Sequence, residues 1–96
     1  MSLMPDLADA PLRDTLIEAV TAARNGTPPA TDLRDAILSG APVPLARLGF
    51  DSLATMEFCI SVELQTGAEL TPEVLDGLET MDAVADWIRS RVRRSP

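Results

Sequence analysis

The sequence predicts an all-α fold, a small four-helix bundle with three longer helices and a short third one. Three observations lead there. The core residues are aliphatic: 46% of the chain is hydrophobic but only 3% aromatic, with no Tyr, whereas strands favour aromatic and β-branched side chains. Apolar residues recur at helical spacing between recognisable start and stop residues. No segment alternates as a strand does, and no internal repeat occurs. Ninety-six residues make one small domain, near the lower end of what builds its own core. Residues 1–8 read as a flexible leader, 9–92 as the folded domain and 93–96 as a basic tail.

The first helix follows from "DAPLRDTLIEAVTAARNG". Leu12, Leu16, Ala19, Val20 and Ala23 share one face, with Arg13, Asp14 and Glu18 largely off it. Asp9 and Pro11 are start signals, and Asn25-Gly26 is a stop. The stretch from Thr27 to Phe50 is a long connection marked by Pro28, Pro29, Pro42 and Pro44. A structureless loop of that length is unusual, so an extra short helix is expected inside it, capped by Thr31, running through Leu38 and ended by Gly40. Leu45, Leu48 and Phe50 then anchor the second half of the loop on the bundle.

A second long helix runs from Ser52 to Gln65, with Gly67 as its C-terminal cap. Phe58, Cys59 and Val62 form one apolar stripe; Met56 and Ile60 form another, about 100° away, interleaved with Glu57 and Glu63. One core needs one stripe, so the second is a candidate contact surface. Thr71 and Pro72 start a short helix. Thr80 then caps a last one, with Met81, Val84, Ala85 and Ile88 inward and Trp87 partly exposed.

Composition excludes several function classes. Net charge is −7 with neither His nor Lys. Four arginines lie in the last eight residues, so residues 1–88 hold four Arg against all fifteen acids, a net of −11. Such a body is repelled by nucleic acid and attracted to basic protein surfaces. The arginine tail reads as the C-terminal end of a helix complementing its dipole. One cysteine, Cys59, permits no intrachain disulfide. No secretory signal or membrane span is visible, which predicts a cytoplasmic protein. Without His and with a single Cys there is no zinc site, no EF-hand spacing occurs, and a serine nucleophile would have no partner base. The chain reads as a non-enzyme.

One hydroxyl remains of interest. Ser52 stands at the junction of a glycine-bearing loop and a helix, where N-terminal amides and the helix dipole favour a phosphate ester. On these grounds alone the simpler reading comes first: Asp51 or Ser52 caps the helix and does nothing else.

The stretch "LGFDSLATMEF" resembles the prosthetic-group attachment motif of acyl carrier proteins, L-G-x-D-S-L, matched at Leu48, Gly49, Asp51, Ser52 and Leu53. It lies where that family has it, after a long loop and opening the second major helix. "ELTPEVLDGLETMDAVADWI" is similar to the family's short third helix and its fourth, so the resemblance covers roughly residues 10–92. Peptidyl carriers, the neighbouring class, tend to show G-G-x-S, so Phe50-Asp51 tilts towards acyl carriers.

The resemblance implies that a phosphopantetheinyl transferase moves 4′-phosphopantetheine from coenzyme A onto Ser52. Its Oγ attacks the pyrophosphate and becomes a phosphodiester, while the base and Mg²⁺ belong to the transferase. Asp51 positions the transferase and its metal, and Leu53 packs beside the root of the arm. The arm's thiol carries acyl groups as thioesters between enzymes: a loading ligase or acyltransferase, then synthase or condensing enzymes. Met56, Glu57, Ile60 and Glu63 become the docking face for these partners, and a monomer is expected.

Two departures matter. Ala54 stands where fatty-acid carriers commonly have an acid, and Leu64-Gln65 replace a late acidic run. Both favour a polyketide or lipopeptide pathway over primary fatty acid biosynthesis. An acyl chain, if sequestered, is expected among Phe58, Val62, Val74, Leu75 and Val84. Cys59 is expected to be a buried, inert thiol. The reading from another class is an unmodified helical interaction module that keeps the bundle but not the arm.

Overall fold

The computed structural model describes residues 9–93. The leader, and the basic tail apart from Arg93, lie outside the described residues. Among these, five α-helices follow one another: α1 (Asp9–Ala23), α2 (Thr31–Ser39), α3 (Ser52–Thr66), α4 (Pro72–Leu78) and α5 (Met81–Arg93), with a 3₁₀ turn at Leu45–Leu48 and no strand. The predicted bundle is present, and the extra helix inside the long connection is α2.

The core forms where helical periodicity placed it. Leu12, Leu16, Ala19, Val20 and Ala23 of α1 are buried against Phe58, Cys59 and Val62 of α3 and Met81, Val84, Ala85 and Ile88 of α5. The main packing is α1 on α3, while α2 leans chiefly on α1 and α4 bridges α3 and α5. Leu48 is buried and Leu45 and Phe50 pack against the core, so the second half of the connection is anchored as expected.

Helix ends follow local chemistry. α1 gives way to a turn in which Asn25 and Gly26 adopt positive φ. Thr71 accepts from the Val74 amide at 3.2 Å and Thr80 from the Ala83 amide at 3.1 Å, which starts α4 and α5. At α3 the chain reverses through Gly67, whose φ of 81° is costly for any residue with a Cβ.

Two sequence expectations are corrected. The residue capping α2 is Ala30, with no side-chain bond; Thr31 is already in the first turn. The polyproline-like backbone of Ala30 (φ −57°, ψ 151°) after two prolines sets that start one residue early. Arg13, placed largely off the core face, is the one charged side chain buried among the described residues. Its guanidinium donates to the Ile37 carbonyl at 3.3 Å and to Asp82 at 3.3 Å, tying α1 to α2 and α5. α2 and the start of α5 cover this flank of α1, so the side chain adjacent to Leu12 is enclosed, and its charge is tolerated because it is paired.

The connection is also fastened to the α4–α5 junction. Leu45 N–H donates to the Glu79 carbonyl at 2.9 Å and Met81 N–H to the Val43 carbonyl at 2.8 Å. Glu79 turns to φ 71° there, an uncommon conformation for a residue with a side chain. Its carbonyl is thereby used to hold the segment that leads to the serine.

Candidate functional site

The segment "LGFDSL" becomes a rigid elbow. Leu48 is buried at the end of the 3₁₀ turn, and Gly49 (φ 69°) caps that turn through its amide to the Ala46 carbonyl at 3.2 Å. The left-handed turn sends Phe50 back towards the bundle, where its ring lies 5.5 Å from that of Phe58. Asp51 is extended (φ −86°, ψ −174°), and α3 begins at the next residue.

The capping question has a definite answer. Asp51 Oδ1 accepts from the Ala54 amide at 2.8 Å, and the Asp51 carbonyl accepts from the Thr55 amide at 2.9 Å. Asp51 is therefore the cap. Ser52 is the first helical residue and exposed, so its hydroxyl is left out of the capping arrangement. The first amides of a helix lack internal partners and form the positive end of its dipole. An oxyanion bonded to Ser52 is favoured there.

Two depressions border the motif; Ser52 itself lines neither, though its neighbours do. One, of about 560 Å³, runs between the 3₁₀ turn, Gly49, Phe50, Thr55, the α4 residues Leu75 and Asp76, and Glu79 just past α4. The other, of about 330 Å³, shares Gly49 and Phe50 with the first and lies between Ala23, Arg24 and Asn25 at the end of α1 and Asp51, Leu53, Ala54 and Glu57. Leu53 is 67% exposed on the rim of the second.

The second stripe of α3 is solvent-facing: Met56 is 49% and Ile60 51% exposed. Glu63 is exposed, whereas Glu57 is half-buried in the wall of the smaller depression. Sequence reasoning missed Leu64, which at 81% exposure extends the ridge Leu53–Met56–Ile60–Leu64 along the whole helix. Its spacing of four from Ile60 was the available signal.

The residues expected around an acyl chain are divided. Phe58, Val62 and Val84 are fully buried in the packed core. Leu75 lines the larger groove beside the motif, and Val74 lines a separate cleft with Trp87 and Arg91. Trp87 is half-buried, as expected, with the Arg91 guanidinium 5.0 Å from its ring centroid. Cys59 is buried, and that burial pushes its thiol pKa up. Among the described residues no group of His, Cys, Asp and Glu is placed to hold a metal ion, and no helix is long and apolar enough to cross a membrane.

The structure is thus an all-helical bundle with Ser52 exposed at the start of α3. A family model described as the phosphopantetheine attachment site matches residues 30–88. That is more than half of the chain, which belongs to this family; its members carry covalent 4′-phosphopantetheine and meet modifying and biosynthetic enzymes. The match begins just before α2 and stops within α5, leaving α1 outside it. Comparison with curated proteins and with solved structures returns no match.

Proposed function

We propose that Ser52 is the attachment residue and that the chain is an acyl carrier protein of a secondary-metabolite pathway. The carrying observation is the division of labour at the elbow: Asp51 caps α3, and Ser52 is left exposed and unengaged at its first position. The site fits the group. A serine phosphodiester would stand at the positive end of the α3 dipole, on an exposed residue whose neighbours border two depressions.

When bound, the group supplies a thiol that holds cargo as a thioester. The chain's own residues present and position it. Ser52 Oγ would attack the pantetheine-side phosphorus of coenzyme A, with its proton taken by a base on the transferase, while the pyrophosphate P–O bond breaks and adenosine 3′,5′-bisphosphate leaves with the electron pair. Asp51 offers its second carboxylate oxygen outward, towards the transferase and its metal, and Leu53 gives the root of the arm an apolar neighbour. Met56 and Ile60, with Glu57 and Glu63, form the face read by partner enzymes; the net charge of −11 over residues 1–88 speeds encounter with basic surfaces and leaves affinity modest. Glu57→Lys is expected to slow acyl transfer from a cognate ligase or synthase, while Ser39→Lys, exposed at the end of α2, leaves it unchanged.

An acyl rather than aminoacyl cargo is favoured by Phe50-Asp51 before the serine, and a secondary pathway by Ala54 and Leu64-Gln65. Loading trials on the modified protein test this. Acyl-ligase or acyltransferase partners should charge it and amino-acid-activating domains should not; the reverse result overturns the acyl assignment.

A further inference from the structure

We propose that Arg24, at the end of α1, is the cationic partner of the phosphodiester on Ser52, and that the smaller depression is the seat of that phosphate. The inference rests on Ser52 being the attachment residue. Arg24 lines the depression together with Gly49, Asp51, Leu53 and Ala54, which surround Ser52 in sequence. From Leu48 to Ile88 the chain has no Lys or Arg at all. A phosphate at residue 52 therefore finds no cation on its own helix or on α4, and Arg24 is the basic side chain in the depression beside it.

The backbone of Arg24 is fixed at the end of α1. Its amide donates to the Val20 and Thr21 carbonyls, both at 3.1 Å, and Gly26 N–H closes the turn onto the Thr21 carbonyl at 2.9 Å. The side chain is half-buried. Among the described residues it has no hydrogen-bond or ion-pair partner. Asp51 and Glu57 line the same depression, yet neither pairs with it. The end of α1 brings the negative pole of a helix dipole close to the serine, which would repel a phosphate were no cation set there. A guanidinium offsets that pole and offers planar donors matched to phosphate oxygens. Arg24 lies just past α1 and outside the matched family segment of residues 30–88.

The test uses the full chain labelled with ¹⁵N, before and after modification by a phosphopantetheinyl transferase and coenzyme A. Arg24 Nε–Hε should shift on modification, with slowed solvent exchange, while Arg34 on α2 stays put. In Arg24→Gln, modified to the same mass, the ³¹P line of the arm should narrow as the phosphate gains freedom; Arg24→Lys should give an intermediate width. A gained mass with an unmoved Arg24 signal, a shift at Arg47 in place of Arg24, or unchanged ³¹P linewidth in Arg24→Gln would each overturn the contact and leave the Ser52 assignment standing. An unchanged mass would remove the attachment itself and the contact with it. A cation serving only the α1 dipole predicts equal loss of thermal stability in modified and unmodified Arg24→Gln, which also counts against the proposal.

Discussion

Replacing Asp51 separates two jobs that the residue holds at once. Its Oδ1 accepts the Ala54 amide at 2.8 Å, the single side-chain bond that starts α3. Loss of such a cap costs about 1 kcal/mol, within a range of roughly 0.5–2. Asp51 is exposed, so water partly replaces the lost acceptor, and the middle of that range applies. For a domain of this size about 1 kcal/mol lowers Tm by roughly 4–8 °C. Asp51→Ala should show that drop. Asp51→Asn keeps an acceptor that caps about as well and loses only the charge, roughly 0.3–1 kcal/mol for a carboxylate at a helix N-terminus and towards the low end at an exposed site, so its Tm should fall less than that of Asp51→Ala. If the carboxylate also recruits the transferase and its metal, Asp51→Asn should be modified far more slowly than wild type at a temperature where both are fully folded. Thermal melts by circular dichroism and single-turnover modification rates read the two jobs independently. Wild-type stability in Asp51→Ala would refute the cap. A wild-type modification rate in Asp51→Asn would refute the recruiting role.

Other outcomes follow from the same geometry. Gly67→Ala should cost about 1–2 kcal/mol by denaturant titration, because φ is 81° there and nothing lies within 4 Å of an added Cβ, which leaves only conformational strain. Arg13→Met should lower stability by roughly 1–3 kcal/mol, since the Ile37 carbonyl and Asp82 lose a buried donor; an unchanged denaturation midpoint would show the bridge to be idle. Cys59 has a pKa raised by burial in the folded state, so its contribution to stability is intact below the unfolded thiol pKa of roughly 8.5 and is lost as pH rises through the higher folded value. With no His, Lys or Tyr in the chain, the decline in stability on the alkaline side should vanish in Cys59→Ala, and the native thiol should resist alkylation at pH about 8.

Much of this architecture is legible in the sequence because it rests on local signals. The α1 and α5 faces follow from spacing alone, and Thr71, Thr80 and Gly67 mark helix ends through chemistry confined to one turn. The resemblance at Leu48–Leu53 pointed to the family that the match over residues 30–88 establishes. Long-range placement was beyond such reading. Whether Arg13 faces solvent depends on where α2 and Asp82 come to rest, and helical spacing puts it at the border of the core face. Arg24 has no local signal either, since its nearness to the motif arises only when the end of α1 meets the start of α3. The assignment of the cap to Asp51 was undecidable from composition, because both Asp and Ser are good caps. Backbone geometry at Phe50-Asp51 decided it.

The central claim is that Ser52 bears the prosthetic group. Intact mass after incubation with coenzyme A and a promiscuous phosphopantetheinyl transferase tests it most directly. The wild type should gain one phosphopantetheine, located by fragmentation at Ser52, and Ser52→Ala none. An unmodified wild type, or a modified Ser52→Ala, would contradict it.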